Sequence, residues 1–266
     1  MPNFKKISII ALILLGIGVI GSVVTFASSD RSAISESEKF SGQDVEKVDV
    51  QLYNQKLYVK PSQSDEIMVE LEGKGNNPEK ERLQAEIEGD TLLVKTRERD
   101  RKMFRFFDWG DSVTLSIYLP EKEYTAFKVD INNGSINAEN IQAKDFIAST
   151  DNGKIMIEDI LSERVDVESN NGKIELDNVE GELNGKTNNG AISLVTESLD
   201  RPIQLASDNG KINVKSSQEP TNVTFDVRVD NGSIDIFGDS DWDTVVGDGE
   251  NRVKLTTHNG SITVDR

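Results

Sequence analysis

Cysteine is absent from this sequence, and histidine occurs once, at position 258. The lack of cysteine excludes disulfide scaffolds, thiol catalysis, iron–sulfur clusters and cysteine-ligated zinc. A single histidine cannot build a multi-histidine metal site, and it leaves little basis for a serine–histidine triad. Basic residues are also few, because 30 lysines and arginines stand against 47 acids and give a net charge of −17. Such a chain is repelled by nucleic-acid phosphate, so we expect no nucleic-acid partner.

One long apolar run lies near the N-terminus. Twenty uncharged residues, 7–26, follow Lys5 and Lys6, and a helix of this length crosses a bilayer core. The two lysines before the run indicate a cytoplasmic N-terminus and an extracytoplasmic remainder. We therefore predict a single-pass cell-membrane anchor within residues 1–29. A cleaved signal peptide is the alternative, with Thr25 and Ala27 as the small residues before the cut.

The part of the chain beyond this run is strongly acidic. Residues 1–29 contain two lysines and no acids, so the remainder carries a net charge of −19. Its first segment, residues 30–41, is polar and poor in large apolar side chains. Such a composition predicts a flexible stalk that holds the folded part away from the membrane.

An internal repeat dominates the second half of the sequence. The tetrad Asn-Gly-(Lys/Ser/Ala)-Ile occurs seven times, first at intervals of 19, 19, 18 and 20 residues and then, with insertions, of 22 and 28. Its glycines are Gly134, Gly153, Gly172, Gly190, Gly210, Gly232 and Gly260. Apolar residues alternate with polar ones on both sides of each glycine, which predicts two half-buried strands per repeat joined at Asn-Gly. We expect positive φ angles at Asn-Gly, because both residues tolerate them in tight reversals.

Two all-β architectures fit this repeat over residues 126–266. In a β-solenoid, equivalent residues stack about 4.8 Å apart and the repeated asparagines form a ladder. In a meander of hairpins, Asp151 and Asp208 would face Lys154 and Lys211 across strand pairs. The near-constant period favours the solenoid, made of two-strand coils of about 19 residues.

Residues 42–125 look like the start and cap of the same stack. Apolar residues fall at the repeat offsets around Gln55, which predicts a first, degenerate coil. These residues are Val48, Val50, Leu52, Leu57 and Val59. Further strands are predicted at 67–71, 83–87, 91–95 and 113–119, with a turn at Gly89-Asp90. At the other end, we expect the last strand, which contains Val264, to be an open edge.

The combination of an N-terminal span, a β-rich region ending in Leu119-Pro120 and the repeated Val-x-Val-x-x-x-Asn-Gly-x-Ile-x-Ile resembles a bacterial family of domains of unknown function named "putative adhesin". It looks most similar to the membrane-anchored, LiaG-like members. The resemblance covers residues 42–266. It implies a β-solenoid and an association with cell-envelope stress operons, and it carries no catalytic motif.

An acidic insertion follows the sixth tetrad. Asp239, Asp241, Asp243 and Glu250 occupy positions 1, 3, 5 and 12 of a calcium-loop pattern, in which alternating carboxylates converge on a hard cation. Position six is Thr244, where the sharp turn of that pattern needs glycine, and no helices are predicted on either side. The residues are therefore either a calcium site or a solvated acidic loop. We expect no other cofactor.

A basic and aromatic segment spans residues 97–109. It holds five basic residues and four aromatic ones within an otherwise acidic domain. The residues that we predict to contact a partner or membrane are Arg101, Lys102, Phe104, Arg105, Phe106, Phe107 and Trp109. This composition suits an anionic membrane surface, a glycan or a partner protein. The alternative is a long hairpin loop whose aromatic side chains cover the first coil.

These observations favour a non-enzymatic, extracytoplasmic interaction module whose partner is an envelope protein or polymer. One alternative is a carbohydrate-active β-helix enzyme, in which outward carboxylates act as acid and base. Another is a glycan-binding protein that depends on calcium at the acidic loop. A third reading, an accessory role in the envelope stress response, is implied by the family resemblance alone.

Overall fold

The computed structural model describes residues 32–75, 83–96, 112–239 and 245–266. Every regular element in these ranges is a β-strand, so the predicted all-β class is confirmed there. No helix long and apolar enough to cross a membrane is found among these residues. The predicted anchor at 1–29 lies outside them.

The described residues form seventeen strands that pair into one continuous sheet. In chain order they are β1 (Ser32–Ser41), β2 (Lys47–Leu52), β3 (Lys56–Ser62), β4 (Glu66–Gly75), β5 (Leu83–Glu88), β6 (Thr91–Thr96), β7 (Ser112–Pro120), β8 (Glu123–Asn133), β9 (Ile136–Asn152), β10 (Ile155–Asn171), β11 (Ile174–Asn189), β12 (Ile192–Thr196), β13 (Ile203–Asn209), β14 (Ile212–Ser216), β15 (Val223–Ile236), β16 (Val245–Val246) and β17 (Asn251–Asp265).

Successive repeats pair in parallel and in register. Ile136, Ile155 and Ile174 are direct neighbours across β9, β10 and β11, as are the asparagines that precede each glycine. A meander of hairpins would instead give antiparallel pairs between consecutive strands. The parallel register is that of stacked coils, the solenoid arrangement that the constant period favours.

Each coil has two arms that meet at Asn-Gly. The upstream arm ends at the asparagine, and the downstream arm begins two residues after the glycine, at the isoleucine of the tetrad. Both arms alternate buried and exposed residues, and the buried ones fill the space between the arms. Phe127 and Phe146, on neighbouring upstream arms, stack with ring centroids 5.2 Å apart. The core is therefore one continuous column along the stack.

The glycines are required for a reason other than the one predicted. None of the seven asparagines has a positive φ, and among the seven glycines only Gly232, in an end coil, does. A Cβ placed on any of these glycines would instead lie 1.5–2.1 Å from a carbonyl oxygen of the neighbouring coil. The turns stack so closely that no side chain fits between them. The expectation of positive φ at Asn-Gly is wrong, and backbone contact explains the glycines.

Positive φ angles occur at the opposite corner of three consecutive coils, at Asn140, Asp159 and Asn178. Each lies six residues after a tetrad glycine, and asparagine and aspartate tolerate this conformation better than other side chains. The amide of Asn178 donates to Asp159 Oδ1 at 2.5 Å. The next residue in each coil points inward and is buried, at Ile141, Ile160 and Val179.

The C-terminal strand is not at the end of the stack. On one side β17 pairs with β13 and β14, and on the other side with β15 along its whole length. The coil that contains Gly260 is therefore inserted between those of Gly210 and Gly232. The predicted open edge at Val264 is wrong, because β15 covers it. Val229 and Ile234 in β15 are half-buried because β15 belongs to the last coil of the stack.

The N-terminal end shows the same displacement. The predicted coil around Gln55 exists as β2 and β3, but β6 and β7 pair with its outer side and β8 and β9 with its inner side. The first coil along the chain is thus the second in the stack. Gln55 takes the place of the tetrad glycine, and its side-chain oxygen accepts the backbone N–H groups of Tyr53 and Asn54.

Antiparallel strands close this end. β5 pairs with β6, β4 pairs with β7, and β1 pairs with β4 over Ser32–Ser41. Residues 32–41, which we predicted as a flexible stalk, therefore form an edge strand. Their low hydrophobicity is compatible with this position, because an edge strand packs on one neighbour only. The turn at Gly89-Asp90 is confirmed, with φ of 64° at Gly89.

Candidate functional site

The Asn-Gly corner carries a ladder of asparagine side chains. Each amide nitrogen donates to the Oδ1 atom of the asparagine in an adjacent coil, at 2.8–3.1 Å. In spatial order the ladder is Asn54, Asn133, Asn152, Asn171, Asn189, Asn209, Asn259 and Asn231. The predicted ladder is confirmed, and Asn54 extends it by one rung. Because neighbouring rungs satisfy each other along the column, this corner is a structural spine rather than a binding site.

Buried hydroxyl groups stabilise the same corner from inside. Thr187, Ser207 and Thr257 lie three residues before their tetrad glycines, and each donates to the carbonyl oxygen of a glycine in the neighbouring coil, at 2.9–3.1 Å. Each such hydrogen bond contributes about 0.5–1.5 kcal/mol to stability. The hydroxyl residues therefore belong to the scaffold.

A carboxylate separates the lysines that follow two neighbouring glycines. Lys154 and Lys173 sit on adjacent coils, where their charges would repel each other, and Glu175 lies 2.5 Å from the Nζ atom of each. Partial burial raises the pKa of Glu175, but hydrogen bonds and charge attraction from both lysines outweigh it and leave the pKa below its ordinary value. Glu175 thus compensates the repulsion between the two lysines.

The outward side of the downstream arms forms a long trough between two lysines. One column along it consists of Lys60, Glu139, Glu158, Asp177, Val195 and Lys215. The parallel column nearer the tetrads consists of Tyr58, Asn137, Met156, Glu175 and Ser193. Between these columns lies a groove of about 360 Å³. We call this surface the downstream trough.

The downstream trough mixes acidic and apolar groups. Glu139 pairs with Lys60 at 3.1 Å, whereas Glu158 and Asp177 have no ion pair with any residue that the structure describes. Tyr58 and Val195 keep 36% and 43% of their surface exposed, and Met156 is half-buried between them. The trough is therefore negative in its centre and has apolar patches within reach of those charges.

The predicted calcium loop is only partly inside the described ranges. Asp239 and Glu250 are described, and Asp241 and Asp243 lie outside. Glu250 Oε2 accepts a hydrogen bond from the Asn222 amide, and its backbone N–H donates to Asn222 Oδ1. Among the residues present in the described ranges, no three His, Asp or Glu side chains converge as a metal site would need. The loop as a calcium site stays a prediction.

The predicted partner-contacting segment lies wholly outside the described residues. Arg101, Lys102, Phe104, Arg105, Phe106, Phe107 and Trp109 all fall between the end of β6 and the start of β7. β6 and β7 pair with the two arms of the coil β2–β3. The role of the segment as a contact surface stays a prediction.

Sequence reasoning missed two placements. His258 lies between Asp208 and Asp230, with its ring nitrogens 3.2 and 3.8 Å from their carboxylates, because β17 is inserted between the coils that hold them. Arg201 turns inward and donates to the carbonyl oxygens of Val179 and Gly181 at 2.5 Å each. Neither placement has a local signal in the sequence, because the carboxylates beside His258 and the carbonyl groups that Arg201 contacts belong to residues at least 20 positions away.

The sequence profile of the family Toastrack DUF4097 matches this chain twice, at residues 45–160 and 126–265. Together the matches span the stack from β2 to β17. The chain belongs to the Toastrack DUF4097 family. The two overlapping matches agree with the internal repetition of the coils.

Solved structures share this fold at low sequence identity. A putative adhesin from Bacteroides fragilis NCTC 9343 aligns with a TM-score of 0.53 and 12% identity over 86% of this chain and 96% of that one. A putative cell adhesion protein from Clostridium sporogenes ATCC 15579 aligns with a TM-score of 0.46 and 14% identity over 88% and 99%. The first of these supports the fold of the Toastrack chain.

A sequence relative in Bacillus subtilis (strain 168) is the uncharacterized protein YvlB. It is 26% identical over 121 residues, which amount to 42% of this chain and 30% of YvlB. The chain thus spans less than a third of the length of this relative.

Proposed function

We propose that this Toastrack protein is a non-enzymatic interaction module that binds an envelope component through the outer faces of its stacked arms. The observation that carries the proposal is the downstream trough, where in-register columns place unpaired carboxylates and exposed apolar groups on one continuous surface. Extended sheets of this kind offer long contact surfaces rather than enclosed clefts. The name of the structural neighbour from Bacteroides fragilis, a putative adhesin, supports the same role.

We further propose that the module is held outside the cell membrane by a single-pass anchor at residues 7–26, with a cytoplasmic N-terminus. The length of the apolar run and the two lysines before it support this arrangement. Protease added to intact spheroplasts should degrade the stack and spare only a membrane-embedded fragment. Protection of the whole chain until the membrane is lysed would contradict it.

An accessory role in the cell-envelope stress response is the finer form of this proposal. The family resemblance supports it. A strain that lacks the chain should respond differently to a cell-wall antibiotic, when a stress-reporter fusion is measured, and a plasmid copy should restore the response. An unchanged reporter would contradict the role without affecting the binding function.

In-cell photo-crosslinking tests the binding function itself. A photoreactive amino acid is placed singly at Met156, in the downstream trough, and at Gln204, on the exposed side of an upstream arm. We expect a discrete adduct with an envelope protein or polymer from at least one of these positions. The absence of any adduct at both, together with release of sugars from purified cell wall, would favour the carbohydrate-active alternative.

The acidic loop and the basic segment add two further contacts to this proposal. Calcium titrated into the protein should release or absorb heat that disappears in Asp241→Ala, and no heat at millimolar calcium would contradict calcium binding at the acidic loop.

Replacing Arg101, Lys102 and Arg105 in the basic segment with serine should weaken binding to anionic vesicles. Altered stability with unchanged vesicle binding would instead indicate a cap for the first coil.

A further inference from the structure

The downstream trough is continuous along the stack. A depression at the opposite corner, beside the exposed Leu161, shares Lys60 with the central groove. A third depression, beside Thr196 and Glu197, shares Asp177 and Val195 with it. These shared residues join the three depressions into one surface that runs across several coils. A partner that lies along this surface would contact successive rungs about 4.8 Å apart.

Two carboxylates in the centre of the trough, those of Glu158 and Asp177, have no ion-pair partner among the described residues. Glu139, Glu158 and Asp177 are direct neighbours on three consecutive coils, and like charges in that position repel each other. Lys60 neutralises Glu139, but no cation among the described residues lies within 4 Å of the carboxylates of Glu158 and Asp177. Residues 30–266 as a whole are also acidic, with a net charge of −19. A cationic partner would therefore be attracted at long range and would relieve the local repulsion.

Apolar groups lie beside these carboxylates. Met156 precedes Glu158 by two residues on the same arm, and Val195 is the direct neighbour of Asp177. Isolated exposed apolar residues are common on protein surfaces. Here they alternate with unpaired charges inside one groove, and methionine adapts its shape to different partners. The trough thus offers two kinds of contact at once.

We propose that the downstream trough binds a basic peptide segment of a partner protein, in which lysine or arginine alternates with apolar residues. Glu158 and Asp177 pair with its cations, and Met156 and Val195 contact its apolar side chains. This inference rests on the proposed binding function and names the partner class for it. Anionic polymers and anionic membranes are repelled by the same charges, so the trough favours a protein.

The test uses the full chain, purified in mild detergent and immobilised for surface plasmon resonance. The probe is a ten-residue peptide of alternating lysine and valine, and a peptide of alternating glutamate and valine is its control. We expect the lysine peptide to bind and the glutamate peptide not to bind. In Glu158→Gln/Asp177→Asn the affinity should fall about tenfold, because two charge pairs are lost. Met156→Ser should also weaken binding.

A matched variant separates the trough from general acidity. Glu123→Gln/Glu163→Gln removes the same number of charges from exposed positions outside the trough and should bind the lysine peptide within about twofold of the parent chain. Equal losses in both double variants, or no loss in the trough variant, would overturn the proposal. The trough variant removes a repulsion, so its unfolding midpoint should not fall, and misfolding will not explain the lost binding.

The crosslinking positions distinguish this inference from the broader function. Adducts at Met156 with a partner whose crosslinked segment is basic would support the trough. Adducts at Gln204 alone would leave the binding function intact and show that another face performs it. Adducts at Met156 with an acidic segment or a polysaccharide would overturn the partner class.

Discussion

At the residue scale, the glycine and asparagine of the tetrad serve two different purposes. The glycines allow the turns of neighbouring coils to touch, since a Cβ on Gly172 would lie 1.7 Å from the carbonyl oxygen of Gly153. The asparagines add a continuous chain of hydrogen bonds on the exposed side of the same turns. The repeated tetrad is therefore a stacking signal, and six of its seven glycines do not adopt a positive φ.

Replacing Gly172 with alanine should destabilise the stack strongly. The added methyl group must push two coils apart at the turn, and we expect a loss of about 2–4 kcal/mol in the free energy of unfolding. Gly89→Ala is the control, because nothing lies within 4 Å of that position and only its positive φ is strained, at about 1 kcal/mol. Urea unfolding followed by circular dichroism measures both. A loss for Gly172→Ala no larger than that for Gly89→Ala would contradict contact between turns as the reason for the glycines.

The contribution of Glu175 to stability should depend on pH. Its pKa is lowered in the folded protein, so its stabilisation is present at neutral pH and is lost as the pH falls below the ordinary value of 4.5. At pH 7, Glu175→Gln should lower the free energy of unfolding by about 0.5–1 kcal/mol, and this difference should disappear as the pH falls through the lowered pKa of Glu175. Glu158→Gln removes an unpaired carboxylate and should cause no loss. A difference for Glu175→Gln that persists at low pH would contradict the ion-pair explanation.

At the element scale, the order of coils in space differs from their order in the chain at both ends. Coil β2–β3 lies inside coil β6–β7, and β17 lies inside β15. The first coil along the chain, β2–β3, and the last strand, β17, are thus each held between two coils. Interior coils bury both sides, so this arrangement protects the strands that would otherwise fray first.

Hydrogen exchange should reveal this inserted strand directly. Amides of β17 pair with coils on both sides, whereas β15 pairs mainly with β17. We therefore expect slower exchange in Leu255 than in Val227 when the intact chain is followed by mass spectrometry or NMR. The reverse order would show that the C-terminal strand is an edge, as the sequence order alone predicts.

At the scale of the whole molecule, the Toastrack chain is a linear array in which each coil contacts only its neighbours. Stability is then shared among local interfaces, and the number of interior coils can change without altering the register of the others. The proposed binding surface depends on the array too, since each column of the downstream trough takes one residue from each of several coils.

Deletion of one whole repeat should leave a folded, shorter stack. Removing residues 153–171 joins Asn152 to Gly172 and recreates the tetrad, and the parallel register of the remaining coils is preserved. We expect the β-sheet circular dichroism signal to persist and the longest dimension in X-ray scattering to fall by about 5 Å. Removing residues 153–161 is the control, because it breaks one coil and should unfold much of the stack. Loss of folding in both deletion variants would argue against a stability that is the sum of local interfaces between coils.

Much of this architecture is written in the sequence, because a half-buried strand needs alternation and a stacked coil needs a constant period. The all-β class, the two arms per coil, the asparagine ladder and the degenerate coil at Gln55 follow from those patterns. The left-handed corner at Asn140, Asp159 and Asn178 had a signal as well, in the polar residue six positions after the glycine. Strand alternation alone does not predict this corner, because the alternation describes the arms and not the turn between them.

Only the tertiary structure decided which coils are neighbours and which surface they build together. The period is the same whichever order the coils stack in, so local pattern cannot show that β17 enters between two earlier coils and brings His258 between Asp208 and Asp230. The downstream trough has the same origin. Its carboxylates are 19 residues apart in the chain, and only parallel, in-register pairing makes Glu139, Glu158 and Asp177 adjacent.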